Sequence, residues 1–218
     1  MQRFTLIHDG SEQGWQAAYL AFHIAAQLGA PLLVLLFDSA SDKNMLEKRA
    51  AQVEVGGHAA GVVISTQLIT EFSVDSVAEN SANSNGLFVP RRLIPDEKTA
   101  RRFLEVLSYP LWIVSKESEI QGMAVLVGNP AAHETLINYV STLSHRIQQP
   151  LTGLIPESKL ALIPKTASAI AWLPLSNFSP AEITAALHKV GARVLFLPIS
   201  RFSLIVGLSI NCVIYPVA

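Results

Sequence analysis

Asp9, Gly10 and Ser11 follow directly on the apolar run RFTLIH, and the order acid, glycine, hydroxyl is chemistry waiting for a position. Glycine permits a sharp exit from a strand, and serine is a preferred cap for the helix that would come next. His8, beside Asp9, has the chemistry of a general base, although a histidine at a strand end is often simply packed there. The other histidines, His23, His58, His133, His145 and His188, are scattered without the short spacings that place two ligands on one metal, so no metal site is expected. Cys212 is the single cysteine and lies in the apolar run INCVIYPV, where a buried core thiol is expected rather than a nucleophile. No G-x-S-x-G elbow, Walker loop or G-x-G-x-x-G fingerprint occurs, and no catalytic residue is expected.

Composition narrows the setting of these residues. Half of the 218 residues are hydrophobic and only 15% are charged, which supplies core material and excludes the low-hydrophobicity, high-charge pattern of disorder. A net charge of -1 and a pI near 6.6 offer no field for nucleic acid or an anionic membrane, and neither is expected as a partner. The lone cysteine and the short N-terminal apolar run give the expectation of a cytoplasmic protein. The apolar tail FSLIVGLSINCVIYPVA, with a mean hydropathy of +0.36 for the chain, reads as buried strand; it is shorter than the ~20 residues a bilayer requires.

Strand-like and helix-like runs alternate, the pattern of a parallel sheet wrapped by helices. RFTLIH reads as the first strand, and residues 11–29 read as a helix with Trp15, Ala18, Phe22 and Ala25 at helical spacing and Gly29 at its end. PLLVLLF is apolar on both faces, as a central parallel strand must be. A helix over residues 42–60, stopped around Gly56, Gly57 and Gly61, leads to the strand VVISTQLI. A short helix near residues 73–81, the strand GLFVPRRL, a helix from after Pro95 to Leu107 and the strand YPLWIVS complete five strands. Trp15, Trp112 and Trp172 fall on faces expected to be buried.

After the polar linker SKESEIQG the order starts again, with GMAVLVGN, a helix over residues 131–148 and PLTGLIP. GAPLLVLLF and QQPLTGLIP hold the same place after helices of similar length, so an internal repeat is expected, with domains over residues 1–116 and 122–218. SAIAWLPLS, a helix capped by Ser179 with Pro180 at its first position, ARVLFLPIS and NCVIYPV follow. Only a dozen or so residues around Pro164 separate PLTGLIP from SAIAWLPLS, so the second helix of this copy is expected to be vestigial.

The strand, Asp9-Gly10-Ser11 and the helix and strand AAYLAFHIAAQLGAPLLVLLF resemble the N-terminal signature of the universal stress protein family. YPLWIV and NCVIYP resemble that family's last strand, and GARVLFLPIS resembles its "aDLIVMG" segment. As a tandem pair the chain is similar to a two-domain member with a degenerate second domain. The resemblance implies two open, parallel, five-stranded α/β sheets in the order 3-2-1-4-5, flanked by helices in the manner of the adenine nucleotide alpha hydrolases. It also implies pairing through their last strands, an intramolecular pseudo-dimer that protects two apolar edges. The ligand cleft would lie between the carboxyl ends of strands 1 and 4, with Asp9 in it and the helix N-terminus facing any anion. Asp9 and Ser11 as a plain turn and cap remain the other reading.

ATP-binding members of that family carry after strand 4 a glycine pattern, G, two residues, G, nine residues, G, then Ser or Thr, whose amides reach the triphosphate. Here that place reads PRRLIPDEKTARRFLEVLSYP, with no glycine, while Pro90 and Pro95 remove amide donors. The second copy has only Gly207 there and offers Gly128-Asn129-Pro130 in place of Asp9. The expectation is a non-enzymatic stress-response or regulatory protein with no resident cofactor, at most weak adenine nucleotide binding, an unidentified protein partner and homo-oligomerisation left open. The alternative is a nucleotide or small-anion sensor, or an enzyme, with a modified cleft of Asp9, Gly10, Ser11, Phe37, Arg91 and Arg92. The two arginines could grip an anion by guanidinium forks, or sit on the surface paired with Asp96 and Glu97.

Overall fold

RFTLIH forms strand β1 (Arg3–His8) and LLVLL forms β2 (Leu32–Leu36), the latter buried along its whole length, as its apolar character on both faces requires. These come from a computed structural model describing residues 3–37, 43–70, 72–115, 120–164 and 167–216. The chain divides into two units, Met1–Glu119 and Ile120–Ala218. The linker expected between the repeats falls partly on residues 116–119, outside the described residues.

In the first unit β1 and β2 are joined by β3 (Ile64–Leu68), β4 (Ser84–Pro90) and β5 (Leu111–Val114), all parallel, in the order β3-β2-β1-β4-β5. Helices α1 (Glu12–Leu28), α2 (Lys43–Ala59), α3 (Val74–Asn80) and α4 (Glu97–Val106) make the crossovers. Their ends are chemically specified. Ser11 caps α1 by accepting from the Gly14 amide at 3.0 Å, and Gly29 ends it in the left-handed conformation at φ 60°. Ser73 caps α3, and Asp96 caps α4 through the Thr99 amide at 2.8 Å.

Two expectations are corrected here. Helix α2 runs through Gly56 and Gly57 instead of stopping at them; the left-handed Gly61, at φ 76°, lies beyond its end. The paired glycines serve packing: a Cβ on Gly56 would lie 3.2 Å from a ring carbon of Phe22 on α1, and one on Gly57 would lie 1.7 Å from Ile64 Cδ1 on β3. GLFVPRRL is not strand throughout either, because β4 ends at Pro90 and Arg91–Leu93 form a 3-10 turn.

The second unit holds β6 (Met123–Leu126), α5 (Glu134–Ile147), β7 (Leu151–Pro156), β8 (Ala171–Leu175), α6 (Pro180–Val190), β9 (Val194–Pro198) and β10 (Asn211–Tyr215). Its strands are parallel in the order β8-β7-β6-β9-β10, the same winding as the first unit. A 3-10 segment, Glu157–Leu162, stands between β7 and β8 where the first unit has α2, in keeping with the expected vestigial helix. Another, Ile199–Gly207, follows β9 where the first unit has α4. Helix α5 starts three residues later than expected, after a turn at 130–133.

Trp112 is buried at 1% exposure and stacks on Phe88, but Trp15 and Trp172 are only half-buried, against expectation. Trp172 lies flat across Gly153 of β7, where a Cβ would meet its ring at 2.2 Å, and its Nε1–H donates to the Ala167 carbonyl. Cys212 is buried, as its apolar run requires. Among the described residues no helix is long and apolar enough to cross a membrane.

The Gly57 contact gives a test. Gly→Ala at either position of α2 gains helix propensity of about 1 kcal/mol. At Gly57 the new methyl group must displace Ile64, an overpacking cost of about 1–3 kcal/mol. Urea unfolding is expected to rank Gly57→Ala below Gly56→Ala in stability, and the reverse order would mean that α2 does not rest on β3 in this way.

Candidate functional site

The winding direction reverses between β1 and β4, so the segments leaving these two strands diverge and leave a crevice at their carboxyl ends. Asp9 stands one residue beyond β1, with its side chain fully withdrawn from solvent. A carboxylate so placed needs hydrogen bonds and charge from the protein. Its Oδ1 accepts from the Ser11 amide at 3.1 Å and from the Ser11 hydroxyl at 2.6 Å. Its Oδ2 takes the Nε–H of Arg92, from the 3-10 turn after β4, in a salt bridge. Burial pushes the Asp9 carboxyl up, but the Ser11 and Arg92 hydrogen bonds and the guanidinium charge outweigh it and hold the pKa below the usual carboxylate range.

Gly14, in the first turn of α1, makes this approach feasible: a Cβ there would stand 2.6 Å from Asp9 Oδ1. Ser11 thus works twice, donating its hydroxyl proton to Asp9 and accepting from the Gly14 amide. The Gln13 side-chain oxygen accepts from the Arg92 backbone amide at 3.0 Å, tying the turn after β4 to α1 a second time.

His8 is fully buried on β1, and its Nδ1 accepts from the Gly10 amide at 3.1 Å. Nε2 has no hydrogen-bond partner among the described residues, and the ring meets Trp15 edge to face at 4.5 Å. Burial, followed by the charge of Arg49, lowers its pKa from 6.5 to about 4. A neutral ring with Nδ1 accepting must carry its proton on Nε2, a donor shut away from solvent. It therefore belongs to the packing of β1 under α1.

Gly10, at φ 77°, makes the left-handed exit that a residue with a Cβ resists, and the Arg49 guanidinium from α2 lies over it, 2.2 Å from where a Cβ would be. Arg49 also donates to the Phe37 carbonyl at 3.4 Å. Phe37, just past β2, is half-buried and stacks on Phe72 at 5.5 Å. The structure thus gathers Asp9, Gly10, Ser11 and Arg92 in direct contact and links Phe37 to them through Arg49. Arg91 lies half-buried in the same 3-10 turn as Arg92.

For Arg92 the alternative of a surface pairing with Asp96 or Glu97 is corrected. Arg92 is bound to Asp9, Asp96 caps α4, and Glu97 pairs with Arg101 along the same helix. Among the described residues no group of three or more His, Cys, Asp and Glu side chains could hold a metal.

Comparison with solved structures places the fold. A universal stress protein from Archaeoglobus fulgidus DSM 4304 superposes over the full length of both chains with a TM-score of 0.71 at 12% identity. The chain has the universal stress protein fold. A protein of Pseudomonas aeruginosa UCBPP-PA14, provisionally assigned as a universal stress protein, matches at a TM-score of 0.66 and 13% identity, over 98% of this chain and 93% of the other. The cytoplasmic domain of a prokaryotic cation chloride cotransporter matches at 0.57 and 12%, over 98% and 95%. No protein-family model matches the sequence, and neither does any curated protein.

Open α/β sheets bind ligands at the switch point where the winding reverses, and here that crevice is crossed by a salt bridge between two of the chain's own side chains. Three participants went unnoticed in the sequence. Gly14 carried a readable signal, a glycine inside a helix where propensity disfavours it. Arg49 and Gln13 carried none, since their roles depend on where α2 and the turn after β4 come to rest.

Two measurements test the geometry. Asp9→Ala strips Ser11 and Arg92 of their acceptor and is expected to cost about 1–3 kcal/mol in urea unfolding at neutral pH. Arg92→Ala, which leaves the buried carboxylate without its counter-ion, is expected to cost at least as much; a negligible cost would mean that the carboxylate is not held as described. For His8, the unfolded chain takes up a proton near pH 6.5, whereas the folded chain refuses it until about 4. Stability therefore falls as pH drops through that window, by about 2 kcal/mol between pH ~7 and ~5. His8→Gln is expected to remove this component, and an unchanged pH dependence would contradict the buried neutral ring.

Proposed function

We propose that this chain is a non-enzymatic, regulatory protein of the universal stress type whose first-unit crevice is closed by its own side chains and does not hold ATP in that family's usual manner. The observation that carries the reading is the Asp9–Arg92 salt bridge across the ends of β1 and β4. A nucleotide entering there would have to part a buried carboxylate from its counter-ion, and the free energy for that must come from its own contacts. The segment after β4 offers little in return. It has no glycine to bring amides up to a triphosphate, and Pro90 and Pro95 have no N–H at all.

Fold likeness sets the class rather than the activity, as the cotransporter domain among the similar structures illustrates. The non-enzymatic reading draws on the chemistry at the crevice: His8 is buried and neutral, and Ser11 is engaged in capping, so neither is poised as a base or nucleophile. Function through a protein partner, in the cytoplasm, follows from the same reading together with the single buried cysteine.

Equilibrium dialysis of the purified full chain against ATP, AMP and cyclic nucleotides tests the proposal. No affinity tighter than millimolar is expected, with no nucleotide carried through purification. A micromolar affinity for ATP that is lost in Asp9→Ala would overturn it and favour the sensor reading, in which Asp9, Arg91 and Arg92 open to receive a ligand.

A further inference from the structure

The two units treat the same topological position differently. In the first, Leu6 of β1 lies beside Phe88 of β4, and in the second Val125 of β6 lies beside Phe196 of β9. Counting three residues on from Leu6 and from Val125 pairs Asp9 with Gly128. Strands β4 and β9 both end at a proline, Pro90 and Pro198, and each passes into a 3-10 segment carrying an arginine, Arg92 in one and Arg201 in the other. The first unit answers its arginine with Asp9; the second has no side chain at the matching place.

Arg201 nevertheless leans over that place. Its Nη2 and Nε stand 3.1 and 3.8 Å from where a Cβ on Gly128 would be, and its guanidinium lies over the Phe178 ring at 5.1 Å. Among the described residues no carboxylate forms an ion pair with it. A cation held against a ring, half-buried and without a counter-ion, is ready to receive an anion. A second polar group lies close enough to feel the Arg201 charge. His133 precedes α5, makes no side-chain cap, and has its Nδ1 buried with no hydrogen-bond partner among the described residues. It senses the Arg201 charge: burial first, then that charge, lowers its pKa, which keeps the ring neutral with one proton to donate.

We propose that the second unit binds a small dianionic oxyanion, phosphate or a phosphate monoester, at the carboxyl ends of β6 and β9, with the Arg201 guanidinium as its principal ligand and His133 Nδ1–H as a second donor. Gly128 leaves the space that Asp9 fills in the first unit. Two donors from separate elements, beside the positive end of a 14-residue helix, suit a dianion better than a monoanion. The site is built of side chains and so needs no glycine loop, and it is independent of whether the first unit binds nucleotide.

Calorimetric titration of the full chain with sodium phosphate, and in parallel with phosphoethanolamine and with acetate, tests this. Saturable phosphate binding is expected, weakened roughly tenfold or more in Arg201→Gln and unchanged in Arg92→Gln. Phosphoethanolamine binding more tightly than inorganic phosphate would identify a monoester as the ligand, and the reverse order free phosphate. Gly128→Asp is the second variant: its φ is not in the left-handed region, only the flexible end of Arg201 crowds the new side chain, and the carboxylate should quench the site as Asp9 quenches Arg92. Phosphate should also raise the His133 ring pKa in an NMR titration, which a purely structural arginine would not do. Absence of saturable binding, equal binding in Arg201→Gln, loss in Arg92→Gln instead, or acetate binding as tightly as phosphate would each overturn the assignment.

Discussion

A carboxylate withdrawn from water must find its charge balance and hydrogen bonds inside the protein, and the first unit is organised round that demand at Asp9. Its partners come from both sides of the crevice. Ser11 approaches through the tight exit that Gly10 permits, and Arg92 comes from the turn after β4, 83 residues along the chain. Gly14 is bare because a methyl group there would strike the carboxylate. The order of the strands makes this convergence possible, since β1 and β4 are neighbours in the sheet although two other strands lie between them in sequence. Topology delivers the two charges to one place, and electrostatics then fastens that place.

Much of this architecture was legible because it rests on local chemistry. The apolar two-sided β2, the serine caps at Ser11, Ser73 and Ser179, and the glycines that end α1 and α6 are statements that a short window makes about itself. The expectations that failed were those in which a distant neighbour decides. Gly56 and Gly57 read as a helix stop, but they lie inside α2 on the face that packs against Phe22 and Ile64, where a side chain at Gly57 would have to displace Ile64. Trp15 and Trp172 read as core on spacing alone, yet one sits at the rim beside His8 and the other lies across Gly153. At the crevice, Asp9, Gly10, Ser11 and Arg92 were named and do meet. Their mutual neutralisation was not, because the acids nearest Arg92 in sequence, Asp96 and Glu97, are taken up by α4 itself.

The universal stress protein fold accounts for where a ligand could sit but not for what, if anything, sits there. At sequence identities of 12–13%, what this chain shares with the similar structures is the fold. A backbone cradle of glycines holds a polyphosphate by many amides, each nearly indifferent to side chains. A guanidinium holds an anion at one point, through a planar fork, and can be switched off by a single carboxylate. On the proposed reading, with the glycines absent, the partner of one arginine in each unit decides what the crevice can accept.

The two units then read as two settings of the same device. Each ends its fourth strand in a proline, which removes an amide, and follows it with a 3-10 turn whose arginine swings back toward the end of the first strand. With Asp9 opposite, the arginine is neutralised, the helix start is tied down through Ser11 and Gln13, and the crevice becomes part of the core's polar framework. With Gly128 opposite, the arginine keeps its charge and rests on Phe178, an aromatic face that steadies a cation without cancelling it. The difference lies at one position, an acid against a glycine. That is a small change in sequence for a large change in field, so under the proposed reading two units of the same winding differ in whether their crevice can take an anion.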